Sequence, residues 1–429
     1  MVNALHSIRS VLLSVFVLLI GHGLQLTLFP LKALELGWSP SLIALMGSAY
    51  YGGFILGCLC VTRMIRRVGH IRVFATAVAM AAMMLLAAEL LQLVALWFAA
   101  RFAIGAVIAV LYTVVESWLN ERSDSAHRGS VLSAYATISL GGIVVGQMLI
   151  EIDVPALDVF FGAAALLFIA AILPIGLTRA IQPEAPEDTR VDLGVAYRAS
   201  RVGFVGAALA GIVVGLLWGA GAVFAIEVAG ASDAGNRFVL VAIAAGAIAQ
   251  FPAGRISDYV DRRWVILVLA LIGIGGALLG LSAQRLSDLT LLYFAATAIG
   301  VGALPLYALC IAHANDSADG RFLAIASGML MIHAAGSVAG PLAFAAFEQF
   351  GVPHAFALTL GIAFGGTLLY TLTGLVRREA SREYFEPYQP LPKTTPTVAQ
   401  LDPRDEEAED EDASVALAVD FAASTTVSY

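Results

Sequence analysis

A few ionisable and hydrogen-bonding side chains stand inside otherwise apolar segments of this 429-residue chain. The clearest series begins at Arg101 and continues with Gly105, Tyr112 and Glu116, a spacing that places all four on one stripe of a helix. An ionisable group in hydrocarbon costs at least ~2.5 kcal/mol on insertion scales, so each is a candidate for solute contact or proton movement. We expect this stripe to face a cavity or the interior of a helix bundle.

His22 and Gln25 form a second polar pair, three residues apart and therefore on one face of their helix. A histidine titrates near physiological pH and can carry a proton. A single histidine in a helix bundle is also often only hydrogen-bonded to a neighbouring helix, and both interpretations fit His22. The residues that we expect to contact a solute are His22, Gln25, Tyr135, Gln147, Trp218, Tyr307 and His333.

Membrane-spanning helices must position these residues. The chain is 59% hydrophobic and 13% charged, with a mean hydropathy of +0.86, against about 25% charged residues in soluble domains. Continuous apolar stretches long enough to cross ~30 Å of hydrocarbon favour helices over the alternating strands of a β-barrel. We predict an all-α integral membrane protein with twelve spans, near residues 11–29, 42–62, 73–92, 94–115, 130–150, 157–178, 202–226, 237–254, 264–283, 288–312, 322–346 and 354–376.

Arginine and lysine in the connections predict the orientation. A cytoplasmic amino terminus leaves only Lys32, Arg237 and Arg285 on the outer side and places the other loop cations inside. The even number of spans then puts both termini in the cytoplasm, and we expect the protein in the bacterial cytoplasmic (inner) membrane. The first stretch lacks a convincing cleavage site, so we interpret it as a retained helix.

An internal repeat divides the spans into two halves. The run Ala-Ile-Gly at 103–105 and Tyr112 recur 195 residues later, at 298–300 and Tyr307. Residues beyond 376 hold twelve carboxylates against five cations and many prolines, a composition typical of a disordered segment. We therefore predict a six-helix half over 1–178, a cytoplasmic linker over 179–201, a second six-helix half over 202–376 and a disordered acidic cytoplasmic tail over 377–429.

The loop at 254–263, which reads Gly-Arg-Ile-Ser-Asp-Tyr-Val-Asp-Arg-Arg, resembles a charged loop of major facilitator superfamily transporters. In that family it joins the second and third helices of each half. Runs at 63–72 and 116–122 are similar to a bacterial branch of YcaD type, and the resemblance covers residues 10–376. It implies two six-helix halves around a substrate site near the bilayer midplane, in a protein that works as a monomer.

In this family the charged loops are thought to hold the outward-open state by contacting a neighbouring helix. The resemblance assigns such a conformational latch to Gly254, Arg255, Asp258, Arg262 and Arg263, with Arg63, Arg66 and Arg67 in the first half. The first half departs from the family pattern, because Val61 or Thr62 stands where an aspartate is expected. We therefore expect more state-dependent ion pairing in the second half. Alternatively, these charges only set the topology.

Arg101 followed by Gly105 resembles the fourth-helix motif of the family, which is implicated in proton transfer in proton-coupled members. With this resemblance, the proton-coupling candidates are Arg101, His22 and Glu116. The alternative is that Arg101 snorkels toward the outer interface beside Trp97.

We predict a secondary active transporter that moves a small solute by alternating access and is coupled to protons. Uptake of a polar metabolite and efflux of an amphipathic compound both fit. The alternative from another class is a transporter-like membrane receptor or scaffold whose acidic tail binds a cytoplasmic partner. The sequence has no phosphate-binding loop, metal-ligand spacing or basic–aromatic pattern for nucleic acid. We therefore expect no enzymatic activity, cofactor or metal, and as partners only a solute, protons and membrane lipid.

Overall fold

The computed structural model describes residues 2–121, 128–152, 156–176, 191–316, 321–377 and 395. Within these ranges the chain is helical and contains no strand. The tail predicted over 377–429, apart from residues 377 and 395, lies outside the described residues, as do residues 179–190 of the linker predicted over 179–201. The helices are α1 (Val2–Glu35), α2 (Pro40–Val68), α3 (His70–Leu91), α4 (Val94–Glu121), α5 (Arg128–Leu149), α6 (Asp158–Ala170), α7 (Ile172–Gly176), α8 (Leu193–Ala199), α9 (Arg201–Ala229), α10 (Asp233–Ser257), α11 (Arg262–Leu286), α12 (Leu289–Asn315), α13 (Phe322–Gln349) and α14 (Ala355–Arg377).

Twelve segments of the described chain are long and apolar enough to cross a membrane, which confirms the predicted number of spans. Most of the helices extend beyond the predicted stretches, because helical hydrogen bonding continues into the polar residues at the membrane surfaces. The sixth span is divided into α6 and α7. Pro174 explains the division, since it has no amide hydrogen to donate to the carbonyl of Ala170.

The two halves repeat the same helix packing. In the first half α1 packs on α5 and α6, α4 packs on α2 and α3, and α3 contacts α6. In the second half the equivalent contacts join α9 to α13 and α14, α12 to α10 and α11, and α11 to α14. The repeated glycines explain part of this symmetry. A Cβ on Gly105 would overlap the carbonyl oxygen of Tyr50 on α2, and one on Gly300 would overlap that of Ala242 on α10.

The halves meet at the ends of the helices remote from the start of α1 and the end of α14. There the Ser48 hydroxyl of α2 donates to the carbonyl oxygen of Val338 on α13 at 2.8 Å. A Cβ on Gly47 would lie 2.9 Å from the Cα of Gly219 on α9, so these backbones are in close contact. We call this end of the molecule the closed face, and the end where α1 begins and α14 ends the open face.

A short helix precedes the second half on the open face. Asp192 caps α8 by accepting a hydrogen bond from the amide of Val195 at 3.0 Å, and Ser200 caps α9 through the amide of Gly203 at 2.8 Å. Helix α8 lies against α13. Part of the region predicted as a polar linker is therefore helical, because two successive capping residues start helices there.

Candidate solute-binding cavity

A cavity of about 930 Å³ lies between the two halves. Helices α1, α2, α4 and α5 line it from the first half, and α9, α10, α12 and α13 line it from the second. It reaches the open face, where Thr137, Phe251 and Tyr259 are exposed. Nine of the lining residues carry rings, and they are His22, Tyr50, Tyr51, Phe54, Tyr112, Trp218, Phe251, Tyr259 and His333.

The structure divides the residues that were expected to contact a solute into two groups. His22, Trp218 and His333 line the cavity. The other four lie behind the wall and are fully or almost fully buried, namely Gln25, Tyr135, Gln147 and Tyr307. Gln147, for example, accepts a hydrogen bond from the Thr27 hydroxyl at 2.7 Å and donates one to the carbonyl oxygen of Gly23 at 2.5 Å, which joins α5 to α1.

Sequence reasoning missed the tyrosines of α2. Tyr50 and Tyr51 are neighbours in sequence, yet both reach the cavity wall, with their rings 5.2 Å apart. Gln250 of α10 also lies on the wall. The pair of adjacent aromatic residues inside a span was the available signal for the tyrosines. Whether these two rings reach the cavity depends on how α2 is rotated about its own axis. In an apolar helix, no alternation of polar and apolar residues indicates that rotation.

Arg101 is buried inside the first half, with 2% of its surface exposed. Its guanidinium lies over the rings of Phe29, at 5.1 Å, and Tyr50, at 4.8 Å. Its Nη1 donates to Oε1 of Gln25 at 2.7 Å. The side chain therefore does not snorkel to the outer interface, and it does not line the cavity either.

A hydrogen-bonded chain connects Arg101 with the cavity. Because a guanidinium can only donate, the oxygen of Gln25 faces Arg101 and its amide nitrogen faces Nδ1 of His22, at 3.0 Å. His22 Nδ1 must then be an acceptor, which leaves the proton of a neutral ring on Nε2. The structure thus brings together three of the predicted residues as a chain that runs from Arg101 through Gln25 to His22 on the cavity wall.

Glu116 lies at the other end of the same α4 stripe. It is fully buried, its Oε1 accepts a hydrogen bond from the Tyr135 hydroxyl at 2.9 Å, and its Oε2 accepts one from Thr395. At 1.5 Å of rise per residue, Glu116 and Arg101 are separated by about 22 Å along the helix. Arg101 and Glu116 are therefore not an ion pair. Tyr112, one turn from Glu116, lines the cavity.

His333 of α13 is the histidine that the second half presents to the cavity. Its ring centroid lies 4.5 Å from that of Tyr307. Its Nδ1 lies 3.1 Å from the carbonyl oxygen of Ala207 on α9, and since a carbonyl only accepts, Nδ1 carries the proton. The two cavity histidines thus use Nδ1 in opposite ways, as an acceptor in His22 and as a donor in His333.

The charged loop of the second half forms a compact cluster on the open face. Arg262 is fully buried and donates from Nε to Asp316 at 2.9 Å and from Nη1 to the Ser257 hydroxyl at 2.9 Å. Its Nη1 also lies 3.5 Å from Asp258. The Ser257 hydroxyl in turn donates to the carbonyl oxygen of Gly254 at 2.6 Å. Arg255 and Asp258 stand at the mouth of the cavity.

A second arginine ties this loop to the last helix. Arg263 pairs with Asp261 at 2.5 Å and donates from Nη1 to the carbonyl oxygen of Gly374 on α14 at 2.9 Å. Burial by itself raises the pKa of the Asp261 carboxyl, but the hydrogen bonds from Arg263 outweigh it and lower that pKa below its ordinary value. These contacts all join parts of the second half.

The equivalent loop of the first half is built differently. Arg63, Arg66 and Arg67 are exposed, whereas Arg262 and Arg263 are buried. Val61, at the place expected for an aspartate, is buried with 2% of its surface exposed.

Polar contacts between the halves occur on the closed face. Asn236 of α10 donates to the carbonyl oxygen of Gln147 at 3.0 Å and to Oε1 of Glu151 at 2.7 Å. Arg237 pairs with the second oxygen of Glu151 at 3.1 Å. We call Glu151, Asn236 and Arg237 the outer clamp. Sequence reasoning counted Arg237 only as an outer cation, because nothing in the sequence indicates which loops meet across the halves.

Two repeated six-helix halves, enclosing a central cavity that is open on one face, define a helical membrane protein of the transporter type. The family model of the Major Facilitator Superfamily matches residues 11–232 and 203–401, and the chain belongs to that superfamily. The uncharacterized MFS-type transporter YcaD of Escherichia coli O139:H28 is 28% identical over 320 residues, which cover 73% of this chain and 82% of YcaD.

Two solved structures are similar in fold. The nucleoside transporter NupG has a TM-score of 0.67 at 11% identity, and the match covers 86% of this chain and 99% of NupG. A bacterial homologue of the human lysosomal transporter Spinster, in an inward-facing and occupied conformation, has a TM-score of 0.66 at 15% identity, covering 86% of this chain and 95% of that protein.

Proposed function

We propose that the protein is a secondary active transporter that moves a small solute across the bacterial cytoplasmic membrane by alternating access. The cavity carries this proposal, since it lies between the two halves, opens on one face and is closed on the other by contacts between them. Membership of the Major Facilitator Superfamily supports it. The solute contacts His22, Trp218 and His333 on the wall. Gln25 holds His22 by a hydrogen bond, and Tyr307 packs against His333.

Both termini are proposed to be cytoplasmic, as the distribution of arginines in the connections predicts. The open face is then the cytoplasmic face, and the structure is an inward-facing conformation. In the outward-facing conformation the cluster around Asp258 and Arg262 would approach the first half, while the outer clamp separates. The proposal includes a monomer surrounded by membrane lipid.

Proton coupling is the second part of the proposal. Glu116 is a fully buried carboxyl with a tyrosine hydroxyl donating to it. Because a carboxyl inside a membrane span is costly, such residues are rare and typically belong to ion or proton pathways. His22 stands on the cavity wall. We assign proton binding to Glu116 and, when Gln25 no longer donates to its Nδ1, to His22. We assign Arg101 the role of a fixed charge that positions His22 through Gln25.

Gradient-driven redistribution in proteoliposomes tests transport even while the solute is unidentified. Vesicles loaded with a broad mixture of metabolites and drug-like compounds are given a proton gradient, and mass spectrometry identifies any solute that redistributes. A Ser48→Cys/Val338→Cys variant, bridged across the closed face in a background without Cys58, Cys60 and Cys310, is the control. Transport by the unbridged protein that the bridge abolishes supports the proposal. Redistribution no greater than in protein-free vesicles contradicts it.

A further inference from the structure

The charges near the cavity are distributed unevenly with depth. Among the described residues that line it, the only charged side chains are Arg255 and Asp258, at the mouth, where their charges oppose each other. No lining residue deeper in the described wall is a carboxylate. Two charged side chains of α4 are buried behind the wall. The guanidinium of Arg101 contacts Tyr50, which itself lines the cavity, whereas Glu116, about 22 Å farther along the helix, accepts hydrogen bonds from Tyr135 and Thr395.

Arg101 lacks an anionic partner within the described chain. Its polar contact is the neutral amide of Gln25, its other contacts are two aromatic rings, and its Nε has no hydrogen-bond partner. A buried cation is normally paired with a negative group, and buried N–H donors are normally satisfied. Lys32, the other buried cation of this half, does have such partners, because it pairs with Asp158 at 2.7 Å. The positive charge of Arg101 is therefore available to attract a negatively charged group of a molecule bound in the cavity.

The wall in front of Arg101 presents hydrogen-bond donors. His22 holds its ring proton on Nε2, since Nδ1 accepts from Gln25. Its ring stacks on Tyr50 at 6.1 Å and meets Tyr112 edge-on at 6.4 Å. Tyrosine hydroxyls and an imidazole N–H in front of a buried guanidinium suit a carboxylate, which is an acceptor of several hydrogen bonds.

The remaining wall is suited to an apolar or aromatic body. Phe54 faces the cavity from the first half, and Trp218, Leu217 and Leu304 face it from the second. A ligand with an anionic group and a ring could therefore place the group toward α1 and α4 and the ring toward α9 and α12.

We propose that the solute is an organic anion, an amphipathic carboxylate whose negative group is held by the His22–Gln25–Arg101 chain and whose apolar body lies against Trp218. This inference rests on the proposed transport function and names its substrate class.

Two series of compounds test the inference, each with one apolar body and three different charges. The first is 4-phenylbutyrate, 4-phenylbutyramide and 4-phenylbutylamine, and the second is indole-3-acetate with its amide and its amine. Binding to the purified full chain in detergent is measured by thermal stabilisation, which follows ligand occupancy. We expect the carboxylate of at least one series to bind about tenfold more tightly than its amide and amine. Equal or tighter binding of the amide or amine, or binding of no carboxylate in either series, overturns the proposal.

Substitutions of Arg101 test whether its charge contributes to carboxylate binding. Arg101→Gln should weaken carboxylate binding by about tenfold and leave amide binding unchanged, while Arg101→Lys, which keeps the charge, should restore it to within about threefold. Arg285→Gln removes an exposed arginine at the end of α11 and should have no effect. If Arg101→Gln fails to fold, the binding of carboxylate, amide and amine to the unsubstituted protein still tests the proposal. Equal loss of amide and carboxylate binding would show a structural role for Arg101 and overturn the proposal.

The proteoliposome experiment and the Arg101→Gln variant distinguish a failure of this inference from a failure of the proposed transport function. A neutral or cationic solute that redistributes in the proteoliposome experiment leaves transport standing and overturns the anion proposal. No redistribution of any solute contradicts transport itself. An anion that redistributes, with Arg101→Gln reducing its movement about tenfold, supports both.

Discussion

Helix α4 of the first half and helix α12 of the second occupy equivalent positions, and they differ in what they bury. At the offset that pairs Gly105 with Gly300, Arg101 corresponds to Ala296 and Glu116 to Ile311. Both apolar counterparts are buried, as the charged residues are. The membrane-embedded charges of this helix pair are therefore found in one half, although the glycine contact that sets the helix crossing is found in both.

The loops on the open face show the opposite distribution. The second half buries Arg262 and Arg263 among carboxylates, whereas the first half exposes Arg63, Arg66 and Arg67. The duplicated scaffold thus carries two different specialisations. In our account the first half binds the charged part of the solute and the proton, and the second half supplies the apolar wall and the ion pairs that respond to conformation.

The largest effect is expected at the buried carboxyl of α4. With one coupled proton, a gradient of one pH unit should drive about tenfold accumulation of the solute in the parent protein. Glu116→Gln should abolish this accumulation, because an amide cannot carry the proton. Counterflow, which needs no net proton movement, should continue. Accumulation and counterflow of the identified solute in proteoliposomes measure the two effects.

Glu348→Gln is the matched control, since it neutralises an exposed carboxyl in the second half. It should leave accumulation unchanged. Accumulation that survives Glu116→Gln would remove proton binding from this residue.

The next effect separates the two charged loops. Arg262→Gln leaves Asp316 without its buried partner and should cost about 3 kcal/mol of unfolding free energy, whereas Arg63→Gln, at an exposed site, should change it by less than about 0.5 kcal/mol. Unfolding in mixed detergent micelles at increasing sodium dodecyl sulfate measures both. Equal losses in the two variants would contradict the asymmetry between the loops.

A smaller effect is expected at the outer clamp. Glu151→Ala removes the acceptor shared by Asn236 and Arg237, so the closed face should open more often. The rate at which an impermeant maleimide labels an Ala334→Cys cavity residue from that face should rise about two- to fivefold.

Glu35→Ala provides the control for the clamp, because Glu35 pairs with Lys32 inside the first half. Its labelling rate should match that of the parent. An unchanged rate in Glu151→Ala would mean that the clamp does not restrain the closed face.

The smallest effect concerns acid stability. The folded protein holds the pKa of Asp261 below its ordinary value, so this group stabilises the fold above its unfolded pKa, and the contribution is lost as the pH falls through the folded pKa. Asp261→Asn should therefore flatten the decline of thermal stability below about pH 4. Asp233→Asn, at an exposed site, should retain the parent's profile. Identical acid profiles for parent and Asp261→Asn would contradict this assignment.

The sequence was sufficient for the architecture. Continuous apolar runs predicted twelve spans, and the repeated glycines predicted two similar halves, because span length and close helix contact depend on local composition. The division of the sixth span at Pro174 and the capped helix after Asp192 were missed, since both depend on individual backbone hydrogen bonds rather than on hydropathy.

The site was less accessible to sequence reasoning. Arg101, Gln25 and His22 were all identified, but their order as a hydrogen-bonded chain requires two helices to be placed side by side. Tyr112 and Tyr307 are equivalent in the repeat, yet only Tyr112 reaches the cavity. The rotation of each helix about its own axis determines such differences, and an apolar helix carries no periodic signal for it.

The most direct measurement of the central claim follows the two ends of helices α5 and α10. Spin-label pairs at Thr137→Cys/Phe251→Cys on the open face and at Ile152→Cys/Ser232→Cys on the closed face report the separation of the halves by pulsed electron resonance. If the halves alternate around the cavity, changes in pH and solute will lengthen one distance while shortening the other. Distances that stay fixed at both faces under all of these conditions would contradict alternating access.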